Sequence, residues 1–297
     1  MSEHFVRLPA PGARRPGLRY TSCMAVVGRR REIAEVERLL DRAAGGQGSV
    51  LAVTGPPGSG RSELAAVSAR EGTRRGFEVL RTAAVRGTSG LLVWAQLLRD
   101  GGAPEDLASR LLGGAGPLDL DVVARLLATE GRRLLVIDDI DHGGPEALQV
   151  LSVVAARVAA SCTAVVITSV LPVGLGTELR LGGLSEEELA TALPGLAPGA
   201  RHGVWLASGG LPGVAQSLAA ELDAGGSGLD PLVHLALTAP SRAEFLDIDL
   251  GLVRLLEMAL PRSPDDITRA RLLGRLAHEL LGDSSAGGGG GRWPTRA

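Results

Sequence analysis

Leu51-Ala52-Val53-Thr54-Gly55-Pro56-Pro57-Gly58-Ser59-Gly60-Arg61-Ser62 decides the fold: a short apolar run stops at a glycine-rich turn and restarts as a helix. The spacing is that of Gly-x-x-x-x-Gly-Lys-[Ser/Thr], with Arg61 at the lysine position and Ser62 where a hydroxyl would meet Mg²⁺. Glycines at 55, 58 and 60 free the backbone to curl until successive N–H groups point inward, and the following helix adds its positive N-terminal end. An apolar strand, Val50 to Val53, lies ahead of the turn and a helix former, Glu63 to Ala69, behind it. That context separates a phosphate-binding loop from an ordinary Gly/Pro turn.

A second stretch answers the first. Leu134-Leu135-Val136-Ile137-Asp138-Asp139 is a continuous apolar strand whose carboxyl end carries adjacent carboxylates. In an open parallel sheet, ligands sit at the carboxyl ends of strands. Asp138 is therefore expected in a Mg²⁺ shell facing Ser62, and Asp139 is expected to orient or deprotonate an attacking water. Taken alone, the acidic pair is equally a strand ending in a polar turn.

Outward from these two stretches, strands and helices alternate. Strands are expected at 76–83, 163–168 and 178–181, and helices near 33–43, 91–98, 107–112, 118–129 and 145–160. The 118–129 helix presents Leu120, Val123, Leu126 and Leu127 as its apolar face, and Cys162 reads as a small core residue. Continuous apolar strands alternating with helices imply an α/β parallel sheet covered on both faces. From Leu184 onward only helices are expected. Ser185 and Glu188 have the spacing of a capping box, Gly209 to Gly213 breaks one helix from the next, and Ala224 to Gly228 reads as a flexible joint. The expected organisation is a disordered leader (1–24), a phosphate-loop core (25–183), a helical lid (184–223), a further helical segment (224–282) and a glycine-rich disordered tail (283–297).

Composition narrows the function. The 297 residues carry a formal net charge of −2, which offers no basic field for nucleic acid, and DNA binding by this chain alone is not expected. Two distant cysteines, Cys23 and Cys162, form neither a disulfide framework nor a metal cluster, no signal-peptide core is present, and no apolar run spans a bilayer. A cytoplasmic location without membrane contact is the expectation. All 31 basic residues are Arg, so a pressure on composition as a whole bears on position 61.

Val27-Gly28-Arg29, the Gly55–Ser62 loop, Leu134–Asp139, Leu181-Gly182-Gly183-Leu184-Ser185-Glu186-Glu187, Gly209-Gly210-Leu211-Pro212 and Leu252–Glu257 together resemble one family. It is the signalling ATPase module of large ATP-binding LuxR-type transcriptional regulators, a branch of the AAA+-like STAND ATPases. The resemblance covers about Val26 to Gly282 and implies ATP and Mg²⁺ as cofactors, with Gly55, Pro56, Pro57, Gly58, Ser59, Gly60, Arg61 and Ser62 around the phosphates. It also implies Val27, Gly28, Arg29 and Pro212 at the adenine end, Ser62 and Asp138 at the metal, and Asp139 with Arg61 in hydrolysis. The family's helical repeats and helix-turn-helix do not follow here, its Trp-Ala-Asp after the acidic pair is His142-Gly143-Gly144, and Thr168-Ser169-Val170 lacks an arginine. Guanidinium is larger and planar where ammonium is compact, so Arg61 implies either a degenerate loop with weak or slow hydrolysis or a loop rearranged around an arginine that the lysine-free composition placed there. The expected function is a nucleotide-dependent switch that engages a protein partner or itself. Its alternatives are a nucleotide-independent pseudo-ATPase interaction module and a turnover ATPase acting as a motor or loader.

Overall fold

A computed structural model describes residues 27–113, 117–224, 228–242 and 248–280. The expected leader, tail and most of the 224–228 joint lie outside the described residues. Strands β1 (Ser49–Thr54), β2 (Glu78–Ala83), β3 (Arg133–Asp138), β4 (Thr163–Ser169) and β5 (Thr177–Arg180) form one sheet, with spatial order β2-β3-β4-β1-β5. Every pairing is parallel. The order places β1, with its loop, and β3, with its acidic end, on either side of β4.

The three central strands are buried on both faces, which explains their unbroken apolar runs. Val50, Ala52, Leu135, Ile137, Val165 and Ile167 face one layer, formed by α3 (Leu91–Asp100), α4 (Glu105–Leu112), α5 (Pro117–Leu127) and α6 (Gly144–Val158). Their alternating neighbours Leu51, Val53, Leu134, Val136, Ala164 and Val166 face α1 (Arg30–Ala44) and α2 (Arg61–Arg74). With few aromatics available, Leu, Val and Ala fill both layers; Trp94 is the largest fully buried side chain and donates its indole N–H to Ala147 O at 3.1 Å. Two expectations fail locally. Leu126 is 40% exposed rather than on the buried face, because the α5 contact is carried by Leu120, Val123 and Leu127. Cys162 is only half-buried, since it precedes β4 at the rim.

Beyond β5 the chain is helical: α7 (Glu186–Ala192), α8 (Pro198–Ser208), α9 (Pro212–Asp223), α10 (Pro231–Thr238), α11 (Leu250–Ala259) and α12 (Asp266–Leu280). Ser185 and Glu188 form the capping box reciprocally at the start of α7, satisfying two otherwise orphaned donors. One apolar cluster runs from Leu184 through Val204, Ala215 and Leu235 to Leu255 and Leu272, so helices on both sides of residue 224 share a core.

Candidate nucleotide site

The loop from β1 to α2 is built by backbone freedom. Gly58 (φ +82°) and Gly60 (φ +93°) occupy the left-handed region, where a side chain is strained. Ser59 N–H donates to Pro56 O at 3.1 Å and closes the turn. The N–H groups of Gly58, Gly60, Arg61, Ser62 and Glu63 have no acceptor among the described residues. They converge where α2 begins, so an anion is the natural acceptor. Ser59 Oγ is buried and has no hydrogen-bond partner, a second mark of a site that fits phosphate oxygens.

Across the β4 end stand the two carboxylates. Thr168, fully buried at the carboxyl end of β4, donates its hydroxyl to Asp138 Oδ1 at 2.5 Å and accepts the Asp139 N–H at 2.7 Å. One hydroxyl therefore orients both acids. Asp139 is the only non-glycine described residue with positive φ (+48°), which turns the chain into a 3₁₀ turn at Ile140–Gly143. Its Oδ1 receives Arg61 Nη2 at 3.0 Å, while Arg61 Nη1 bonds back to Gly55 O. Arg61 Nε is buried and unpartnered. The cation position of the loop is thus joined to the acidic strand end.

Asp138 keeps its second carboxylate oxygen available, and Ser62 is exposed at the first turn of α2. No group of three or more His, Cys, Asp or Glu side chains forms a metal cage among the described residues. One carboxylate and one hydroxyl suit Mg²⁺, which takes few protein ligands and completes its shell with phosphate oxygens and water.

Arg29 ties the N-terminal segment to this site. Its guanidinium, almost wholly buried, donates to Ser59 O at 3.1 Å and Gly182 O at 2.5 Å and pairs with Glu32 at 3.0 Å. Val27, Gly28 and Arg29 line a cleft of about 690 Å³ whose far wall is Glu187, Glu188 and Thr191 of α7. A Cβ on Gly28 would lie 2.5 Å from the Glu188 carboxyl carbon. A second cleft of about 600 Å³ opens between Pro56 and Pro57 on the loop and Leu211, Val214, Arg242 and Asp249 of the helical half. Pro212 lines neither; it is buried at the first turn of α9. The next residue makes the contact instead, with Gly213 N–H donating to Gly58 O at 2.9 Å. Val27, Gly28 and Arg29 are therefore brought together in one cleft.

Thr168, Gly182 and Gly213 carry contacts that reading the sequence did not assign. Thr168 had a legible signal, a hydroxyl ending an apolar strand beside the acidic one. The two glycines act through their backbone and leave no chemical signal of their own.

Residues 25–167 match the family model of the AAA ATPase domain. No curated protein matches the chain. Among solved structures, Drosophila ORC bound to DNA aligns with a TM-score of 0.51 at 16% identity, covering 93% of this chain and 89% of that one. The replication initiator DnaA bound to AMPPCP and single-stranded DNA aligns at 0.48 and 13% identity, with 86% of each chain covered. A signal transduction ATPase with numerous domains and a tetratricopeptide repeat sensor, from Pyrococcus horikoshii, aligns at 0.41 and 16% identity. This chain covers 38% of that protein, and 81% of this chain is aligned. At these identities the ORC likeness establishes the fold. Among the described residues no helix is long and apolar enough to cross a membrane.

Proposed function

We propose that this chain is an ATP-binding switch module of the STAND type, as in LuxR-type regulators, with slow hydrolysis. The observation that carries the reading is the set of unengaged N–H groups from Gly58 to Glu63, with the orphaned Ser59 Oγ, opposite the paired carboxylates Asp138 and Asp139. Backbone N–H groups and the α2 N-terminus would bind phosphates, Arg61 would meet the outermost one, and Asp138 with Ser62 would hold Mg²⁺. Bound Mg²⁺ would supply charge neutralisation across the phosphate oxygens. Asp139 would position or accept a proton from water once free of Arg61. The contact from Gly213 to Gly58 links loop shape to the helical half, so occupancy of the loop would bias docking of α9.

Calorimetry with ATP, with and without Mg²⁺, tests the reading. Saturable binding strengthened by Mg²⁺ supports it. No heat at millimolar nucleotide overturns it in favour of a nucleotide-independent interaction module, a reading that the Arg61–Asp139 pair also favours because it ties up the cation of the loop. The net charge of −2 argues against specific DNA binding by this chain, and a salt-sensitive, sequence-selective mobility shift would revive the motor or loader alternative.

A further inference from the structure

Arg61 serves two acceptors with separate nitrogens: its planar fork reaches back to Gly55 O with Nη1 and across to Asp139 Oδ1 with Nη2. The two partners of the ion pair are unequally placed. The Arg61 side chain is 10% exposed and that of Asp139 is 31% exposed. A buried cation stripped of its anion is costly, while a carboxylate near the surface is taken up by water. Arg61 therefore leaves Asp139 only for another anion. The unengaged N–H groups at the start of α2 would serve phosphate oxygens without it, so a ligand with few phosphates would not need Arg61.

Asp139 sits at φ +48°, a left-handed conformation that Asp adopts more readily than most residues, with its N–H on Thr168 Oγ1 and its carboxylate on Arg61. The backbone contact holds the residue in place, so loss of the Arg61 contact frees the side chain alone. The buried, unpartnered Arg61 Nε leaves the guanidinium a donor in reserve.

Building on the nucleotide reading above, we propose that Arg61 is a specificity-determining residue that exchanges Asp139 for the terminal phosphate of a nucleoside triphosphate and stays on Asp139 when a diphosphate is bound. The exchange couples the phosphate count to release of the Asp139 carboxylate. No bond is made or broken covalently; one charge-assisted hydrogen bond replaces another.

The test compares dissociation constants for ADP and a non-hydrolysable ATP analogue, measured by calorimetry in EDTA on the full chain. Asp139→Asn removes the competing charge, and asparagine tolerates positive φ. The ratio of triphosphate to diphosphate affinity is expected to rise about tenfold in Asp139→Asn and to fall to about one in Arg61→Ala. An unchanged ratio in Asp139→Asn overturns the exchange, as does equal tightening of both nucleotides. A triphosphate weakened by Asp139→Asn also overturns it, because the carboxylate would then act with the ligand. If Asp139→Asn does not fold, the Arg61→Ala ratio alone decides: a ratio kept at the parent value overturns the proposal. Absence of binding by the folded parent chain sinks the nucleotide reading itself and is distinguished by occurring before any substitution.

Discussion

The sheet half of the molecule presents side chains to the phosphate loop, and the helical half presents backbone. From the sheet come Asp138, Asp139 and Thr168, three polar side chains at the ends of adjacent strands, with Arg61 reaching toward them. From the helices come Gly213 on Gly58, and the stacked turns in which Leu184 N–H donates to Gly210 O at 2.8 Å. A Cβ on Gly183 would lie 2.1 Å from Gly209 O, and one on Gly213 would lie 3.0 Å from Gly58 Cα. Chemistry is thus written in one half by residue type, and docking in the other by the lack of side chains.

The largest expected effect lies in the sheet. Leu135 is fully buried on β3, one of the three central strands, and Leu135→Ala should lower the unfolding free energy by about 3 kcal/mol through lost burial and a cavity. Urea denaturation followed by fluorescence checks it. A loss near that expected of a surface change would mean that the layers above the sheet collapse into the gap, and the sheet would not be the rigid partner in the comparison.

A substitution of one methyl group tests the other half. In Gly183→Ala the new Cβ meets the backbone of Gly209, which cannot swing away as a side chain can, so docking of the helices should weaken by about 2 kcal/mol. The amide of Gly213, bonded to Gly58 O, is the reporter, with hydrogen exchange expected to quicken about thirtyfold. Exchange at Gly213 and at the sheet amides quickening equally, in step with a lowered global stability, would show that the two halves are one cooperative unit.

This contrast also explains what was legible in the sequence. The β1 loop and the β3 acids could be read because an apolar strand ending in chemistry is a local pattern with a short spacing. The parallel sheet followed from the same runs, since strands buried on both faces drop their polar alternation. Arg61 could be read as unusual, but its reach to Asp139 could not, because that contact spans 78 positions and depends on β4 setting the gap between β1 and β3. The contact from Gly213 to Gly58 could not be read either, because it is made by backbone alone. Leu126 misled because a helix face predicted from spacing is wider than the face that α3 and α6 cover.

A smaller effect probes the join between the carboxylates. Thr168→Val keeps the shape but removes the hydroxyl that serves both acids, leaving the Asp139 N–H without its acceptor, and should cost about 1–2 kcal/mol in thermal unfolding. Thr168→Ser should recover most of it. A loss for serine with none for valine would show that the methyl group, rather than the hydroxyl, is what matters at the β4 end.

The smallest effect compares the halves through acid. In the sheet half, hydrogen bonds from Arg74 pull the Glu71 carboxyl down, burial pushes it up, and Arg75 adds to the lowering, so it falls from 4.5 to about 2. Arg75 continues to Asp41 on α1, so this cluster fastens α1 to α2 behind the phosphate loop. In the helical half, burial raises the Asp249 carboxyl, but Arg242, the Leu252 N–H and the Arg242 N–H together lower it below the ordinary carboxylate value. Both groups have depressed folded-state values, so each contributes stability that is present above the unfolded value and lost as pH falls through the folded one. For Glu71 the window is about 4.5 down to about 2. Glu71→Gln should therefore melt below the parent at neutral pH by an amount worth under about 1 kcal/mol, since pairs near the surface contribute little. The gap should narrow through that window and close near its lower end, whereas Asp249→Ala should also uncap α11 and leave a deficit that acid does not erase. Melting curves of the three proteins from neutral pH to pH 2 decide it. A Glu71→Gln gap that stays constant across the window would assign the loss to packing of α2 rather than to its charge, and the acid response would then belong to the helical half alone.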